Sequence, residues 1–127
     1  MRINIEFIEP VEQRYPTCGD YWIDKNGDWQ IRVSKMGDSR SEMAVAQHEQ
    51  FEMAQAIQLG IPLESIDKFD IEFEQTRMPG DESEPGDDPK SPYFEQHQQA
   101  TAVELIYCLA SGLSWTEHEK NVLRSLS

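Results

Sequence analysis

The residues with the clearest chemical potential lie in one predicted helix, in the run His48-Glu49-Gln50-Phe51-Glu52. Because residues four apart on a helix project side by side, His48 and Glu52 share one face, about 6 Å apart at Cβ. Glu49 lies about 100° round the helix, next to that pair. This is the H-E-x-x-H arrangement of zinc hydrolases with Glu, also an accepted zinc ligand, in place of the second His. The spacing predicts His48 and Glu52 as metal ligands and Glu49 as the general base for a water.

A zinc site of this kind needs a third protein ligand, and His97 is the first choice. It opens a later predicted helix directly after an acidic loop, so it is easily brought against a neighbouring helix. Asp70, on the helix before that loop, is the reserve candidate. Glu104 lies on the face of His97, about 10 Å along the axis, which suits a supporting residue better than a ligand. His48, Glu52 and His97 would form a His₂Glu set, in which zinc lowers the pKa of its water to about 7.

A plainer interpretation of the same residues stays open. A His and a Glu four apart can be a buried hydrogen-bonded couple, and a motif as short as H-E-x-x-E also arises by chance. The third histidine, His118, lies among Glu117, Glu119 and Lys120 in the last predicted helix. We therefore expect His118 to be an exposed surface residue without a role in the site.

Composition narrows the classes of partner. The 24 acidic and 11 basic residues give a formal net charge of −13, which opposes direct binding to a nucleic-acid backbone. No apolar run is long enough to span a membrane. The only cysteines, Cys18 and Cys108, are far apart in the sequence, which excludes a disulfide scaffold and fits a reducing cytoplasm. Much of the excess of acidic residues lies in 64–95. A solvent-exposed surface is the simplest explanation of such a run of charges.

The N-terminal third of the chain is predicted to be β-rich. Residues 2–9 alternate apolar and polar side chains, which is typical of a strand. Asn26-Gly27 stands between two further runs of strand-forming residues, so 20–34 is predicted to be a hairpin with a type I′ turn, in which both turn residues have positive φ. The sequence therefore predicts three strands in a small antiparallel sheet.

The remainder of the chain is predicted to be helical. The first helix begins at a cap formed by Ser39 or Ser41 and ends at Leu59, before Gly60. Further helices are predicted over about 64–76, 93–111 and from 115, and the acidic, Pro- and Gly-rich segment 77–92 is predicted to be a loop. We predict a single α+β domain over 1–127, its three-stranded sheet packed on three to four helices, with the first helix central and zincin-like.

An ordered set of motifs over about 20–117 resembles a family of small, uncharacterised phage and prophage proteins with a zincin-like H-E-x-x-E helix. The motifs are Gln30-Ile31-Arg32-Val33-Ser34, Gly37-Asp38, His48-Glu49-x-x-Glu52, Ile66-Asp67-Lys68-Phe69-Asp70, Glu84-Pro85-Gly86-Asp87-Asp88-Pro89, Pro92-Tyr93 and His97. The resemblance implies a phage origin and therefore a site of action in the bacterial host cytoplasm. It supplies no substrate.

Two functions follow as hypotheses. The first is a minimal zincin-like metalloprotein with zinc as cofactor, acting as a metal-dependent peptidase or hydrolase on an unknown protein or peptide. The second is an acidic, non-enzymatic phage protein that binds and inhibits a host defence or nucleic-acid-binding protein by presenting carboxylates. Charge segregated on one exposed face would favour the inhibitor, whereas ligands that converge on a cavity would favour the enzyme. The sequence specifies neither the oligomeric state nor the metal.

Overall fold

The computed structural model describes residues 1–127 as three strands followed by four helices. The strands are β1 (Ile3–Ile8), β2 (Gly19–Ile23) and β3 (Trp29–Ser34), and the helices are α1 (Ser39–Gln58), α2 (Leu63–Gln75), α3 (Phe94–Ala110) and α4 (Trp115–Leu126). The predicted α+β class is confirmed. None of the helices is long and apolar enough to cross a membrane.

The sheet is mixed, so the predicted antiparallel arrangement of all three strands is wrong. The strand order is β1-β3-β2, with β2 antiparallel to β3 and β1 parallel to it. Ile31 and Val33 are completely buried, which makes β3 the strand that needs neighbours on both edges. The hairpin reverses the chain between β2 and β3, so these two strands are antiparallel. Strand β3 then runs in the same direction as β1 and pairs with it, whereas β1 and β2 do not pair.

The hairpin around Asn26-Gly27 is confirmed, but its turn is not type I′. Gly27 has a φ of 81°, and no residue other than glycine has a positive φ. The Gly27 N–H donates to the Asp24 carbonyl at 3.0 Å, and the Asp24 side chain accepts from the Asn26 N–H at 2.8 Å. These bonds define a type I turn followed by a left-handed glycine, in which only Gly27 needs a positive φ. The Asp24 carboxylate favours this form because it holds Asn26 in the right-handed region.

Helix α1 begins at Ser39, one residue earlier than a cap at Ser39 predicts and three earlier than a cap at Ser41 predicts. Asp38, not Ser39 or Ser41, is the capping residue, and its carboxylate accepts from the Arg40 N–H at 2.9 Å. Ser41 lies within the helix and is fully buried, and its hydroxyl is hydrogen-bonded to the side chains of His118 and Asn121. Gly60 follows the helix with a φ of 73° and ends it as predicted.

Helix α1 forms the middle layer of the molecule. It packs on β2 and β3 on one side and on α3 on the other. Tyr21, Ile31 and Met53 belong to the main core between sheet and helix, whereas Ala44 and Cys108 belong to a smaller cluster between α1 and α3. A helix that is covered on two sides must bury polar side chains along its flanks, and the predicted site residues of α1 are among them.

The segment 77–92 is irregular, as predicted, apart from one 3₁₀ turn at Pro85–Asp87. This turn packs against α2 and α3. A Cβ added at Gly86 would overlap the ring of His97, so the loop backbone lies directly on that imidazole. The loop is therefore one wall of the region that contains the predicted ligands.

The observed turn predicts unequal effects of substitution at Gly27 and at the preceding residue, Asn26. Gly27→Ala should lower the free energy of unfolding by about 1–2 kcal/mol, because an L-residue is strained at positive φ. Asn26→Ala, the matched control, should cost less than about 0.5 kcal/mol since Asn26 has a negative φ. Urea denaturation of the two variants checks this, and equal losses would contradict the assigned turn.

Candidate metal centre

The three side chains predicted as metal ligands meet in the structure. Glu52 Oε2 accepts hydrogen bonds from His48 Nε2 at 3.0 Å and from His97 Nδ1 at 2.9 Å. All three side chains are about 95% buried. These ligand atoms all lie within 4.8 Å of one another. Ligand atoms of a tetrahedral zinc site lie about 3.3 Å apart, given bonds of about 2.0–2.1 Å, so small side-chain rotations would place all three around one ion.

The local folding of two helices explains how these residues come together. His48 and Glu52 are one turn apart on α1, so they project from the same face. His97 lies in the first turn of α3, where its N–H donates to the Tyr93 carbonyl at 2.9 Å. Because α1 and α3 pack closely against each other, this first turn comes to lie beside the middle of α1.

Glu52 is the central residue of the cluster. Its second oxygen, Oε1, accepts a hydrogen bond from the Tyr21 hydroxyl of β2 at 2.8 Å. Burial alone would raise the pKa of Glu52, but hydrogen bonds from His48 and His97 outweigh it and hold the pKa at about 2. Glu52 is therefore a carboxylate at neutral pH, with one oxygen fixed by Tyr21 and the other directed at the two imidazoles.

The outer nitrogen of His48 faces a second buried carboxylate. Glu104 Oε1, on α3, lies 2.7 Å from His48 Nδ1, and the other Glu104 oxygen contacts His118 Nε2. The prediction that His118 is exposed is wrong, because His118 is almost fully buried and its Nδ1 lies 3.0 Å from the Ser41 hydroxyl. The contact of His48 with Glu104 is not aligned for a hydrogen bond, and His48 Nδ1 has no other partner.

The outer nitrogen of His97 faces the acidic loop. Glu84 Oε2 lies 2.9 Å and Asp87 Oδ1 3.3 Å from His97 Nε2, again without hydrogen-bond alignment. His97 lowers the pKa of Asp87, which keeps that carboxylate charged. Both histidines of the cluster thus have a carboxylate on the nitrogen that points away from Glu52. Metal-binding histidines commonly have such a carboxylate, which orients the ring.

The cluster attracts positive charge. Burial alone would lower the pKa of His48 and of His97, but the surrounding carboxylates outweigh it and raise both pKa values well above the usual value for histidine. For His48 these carboxylates are Glu104 and Glu52. Protons on the imidazoles and a metal ion on their inner nitrogens are two ways of balancing the same buried negative charge.

Glu49, the predicted general base, is not part of the three-residue cluster. It is about nine-tenths buried on α1, and a Cβ added at Gly19 of β2 would overlap its carboxylate. Burial and the nearby Glu52 raise the pKa of Glu49 well above its usual value. Unlike Glu52, it accepts no hydrogen bond from the protein, and it borders the same cavity as the cluster. Its catalytic role stays a prediction.

Asp70, the reserve ligand, does not join the cluster. Its carboxylate accepts hydrogen bonds from the Tyr93 hydroxyl at 2.6 Å and from the Tyr15 hydroxyl at 3.4 Å. Burial raises the pKa of Asp70 to about 7. Asp70 nevertheless borders the same cavity, which has a volume of about 480 Å³ and reaches the cluster between β2, α2, the acidic loop and α4.

Sequence reasoning missed several residues around the cluster. Tyr21 gave no signal, because its contact with Glu52 depends on how β2 packs on α1. Glu84 and Asp87 stood out only as members of an acidic loop. Glu104 was correctly expected to lie near the ligands, from its position seven residues after His97.

Comparisons with family models, curated proteins and solved structures find no match to this chain. The resemblance to phage and prophage proteins therefore stays a prediction from the sequence motifs, and the cluster itself is the ground for assigning chemistry.

The raised pKa of Asp70 predicts a pH-dependent cost. Asp70 titrates at about 7 in the folded chain and at about 3.9 when unfolded. The folded state therefore binds the proton more tightly, and wild-type stability falls as the pH rises from about 4 to about 7. Asp70→Asn, which cannot ionise, should gain about 1–3 kcal/mol relative to wild type across that window.

Urea denaturation between pH 4 and pH 8 measures this difference. The exposed variant Glu12→Gln is the control, and its stability relative to wild type should change little over the same window. A stability difference between Asp70→Asn and wild type that does not change with pH would contradict the prediction.

Proposed function

We propose that this chain is a zinc-binding protein of the zincin-like kind, with His48, Glu52 and His97 as ligands and a hydrolytic activity on peptides. One observation carries the proposal. His48 Nε2, Glu52 Oε2 and His97 Nδ1 converge, while the remaining polar atom of each side chain lies against Glu104, Tyr21 or Glu84. A pair formed only for stability has no need of carboxylates on both outer nitrogens.

The donor set fits zinc better than a hard cation. Two imidazole nitrogens and one carboxylate are the ligands of open catalytic zinc sites, in which the fourth position takes water. Calcium and magnesium prefer sets made of oxygen atoms alone. The buried carboxylates of Glu52 and Glu104 lie close to the imidazoles and supply negative charge to offset a divalent ion. Zinc is thus the metal of choice for His48, Glu52 and His97.

The cavity next to the cluster supports hydrolysis rather than a purely structural ion. When bound, zinc would supply Lewis-acid chemistry and activate a water at about neutral pH. Glu49 borders the cavity with a carboxylate that has no hydrogen-bond partner in the protein. This free carboxylate is suited to accept the proton of an attacking water, and Tyr21 and Glu104 hold Glu52 and His48 in orientation.

The alternative of an acidic inhibitor receives less support. Inhibition by charge would need carboxylates on one exposed face, whereas the residues of the cluster are buried and open into a cavity. The phage origin and the action in a host cytoplasm enter this proposal through the sequence motifs alone.

The metal site predicts a specific loss on substitution. Wild-type protein purified without chelator should contain about one zinc per chain, and added zinc should raise its melting temperature because binding to the folded state alone stabilises it. His48→Ala should lose both the metal and the response to zinc. Elemental analysis and thermal denaturation measure the two effects.

His118→Ala is the matched control, since it removes a buried histidine outside the ligand set. It should lower stability but keep the zinc content. If wild-type protein contains no metal and its melting temperature ignores added zinc, the proposed site is wrong.

Glu49→Gln separates binding from catalysis. The change keeps the shape of the side chain and removes only the proton acceptor, so zinc content should stay at the wild-type value. Hydrolysis of an unstructured peptide substrate should fall by about 10²-fold or more, the usual contribution of a general base. Loss of zinc in this variant would instead identify Glu49 as a ligand, and an unchanged rate would exclude it as the base.

A further inference from the structure

The cavity beside the cluster is far more acidic than the chain as a whole. Of the 24 acidic residues, 11 line it, but only one of the 11 lysines and arginines does. A low-dielectric cleft lined by one sign of charge focuses the field and concentrates ligands of the opposite sign. The overall charge of −13 does not explain this asymmetry, because the other ten basic residues all lie outside the cavity.

The single lysine or arginine in the cavity, Arg77, is already paired. Arg77 donates to both carboxylate oxygens of Glu74, at 2.9 and 2.7 Å, and also lies 4.0 Å from Asp81. Its charge is therefore not available to an anionic ligand. The three histidines of the cavity also contact carboxylates of the protein, so a phosphate or carboxylate that entered would meet no unpaired cationic side chain.

Two exposed carboxylates of the cavity, Glu82 and Glu119, have no partner in the protein. Glu82 belongs to the acidic loop and Glu119 to α4, so separate elements supply them. Neither forms a hydrogen bond or an ion pair with its side chain. Exposed residues that still line a cavity lie at its opening, so these two carboxylates belong to the mouth of the cavity.

A second observation, independent of this exposed charge, points to a ligand. The Glu49 carboxylate is nine-tenths buried and borders the cavity, yet no group of the protein donates to it. A buried acceptor without a donor is costly unless water or a ligand supplies one. The cavity interior thus holds a carboxylate that a donor group of a ligand could reach, and its mouth has no lysine or arginine.

We propose that this cavity binds a basic peptide segment, with lysine or arginine side chains among Glu82 and Glu119 at the mouth. The inference that such a segment is also cleaved rests on the proposed function of the same site, whereas its binding does not. The volume of about 480 Å³ suits a short extended segment rather than a folded domain. Phosphorylated and acidic peptides are excluded by the same charges.

Binding of three labelled peptides of equal length tests the proposal. They alternate glycine with lysine, glutamate or serine, and are titrated against the full chain with and without zinc. The lysine peptide should bind at least about tenfold more tightly than the other two, and this preference should weaken as salt rises from about 25 to about 300 mM.

Two double variants with the same change in net charge localise the effect. Glu82→Gln/Glu119→Gln removes the mouth carboxylates and should weaken lysine-peptide binding by about two- to fivefold per residue. Glu12→Gln/Glu72→Gln removes exposed carboxylates outside the cavity and should leave binding at the wild-type value. Neither pair touches the ligand cluster.

The outcomes separate this proposal from the proposed function. Equal binding of all three peptides, or equal weakening by the two double variants, would overturn the inference about the cavity. If the zinc-loaded protein hydrolyses serine and glutamate peptides as fast as the lysine peptide, the charge preference is also wrong although the hydrolase is right. Tight binding of the lysine peptide without hydrolysis would uphold the cavity's preference and overturn the hydrolase.

Discussion

The burial of the Glu52 carboxylate between two imidazoles is the interaction on which the rest of the structure depends. An uncompensated carboxylate in a protein interior costs several kcal/mol, so Glu52 requires donors wherever the chain places it. His48 supplies one from the same helix and His97 supplies the other from α3, which ties the first turn of α3 to the middle of α1. The imidazoles then need counter-charges of their own, and Glu104 and Glu84 provide them.

The part of the site that lies on one helix was predictable, because helix geometry alone brings His48 beside Glu52. His97 could be predicted only as a residue at a helix start, since its contact depends on the packing of α3 against α1. His118 was misjudged because its neighbours in the sequence are charged. On a helix the residues that share its face are those three or four positions away. Trp115 and Val122 occupy two of those positions, and their apolar side chains indicate an inward face.

The errors in the fold have a common physical origin. A turn is fixed by a few adjacent residues, so the hairpin was predictable from Asn26-Gly27, although the Asp24 carboxylate selected a different turn type. The direction of β1 relative to its neighbour is not determined by adjacent residues, because it depends on which strand takes the buried central position of the sheet. The predicted cap of α1 was wrong for a similar reason. Ser41 is of a residue type that often caps helices, but its hydroxyl is hydrogen-bonded to His118 and Asn121 from a distant part of the sequence.

The acidic loop joins the interior of the site to its surface. Gly86 lets the loop backbone lie directly on the His97 ring, so the orientation of that ring depends on the position of the loop. Glu84 contacts the outer nitrogen of His97, and Glu82, two residues earlier, lies at the mouth of the cavity. A ligand held at the mouth and an ion held by the imidazoles would therefore act on one short segment of chain. The proline and glycine residues of this segment exclude a regular helix or strand. The resulting irregular backbone contacts the His97 ring at Gly86 and places Glu82 at the mouth of the cavity.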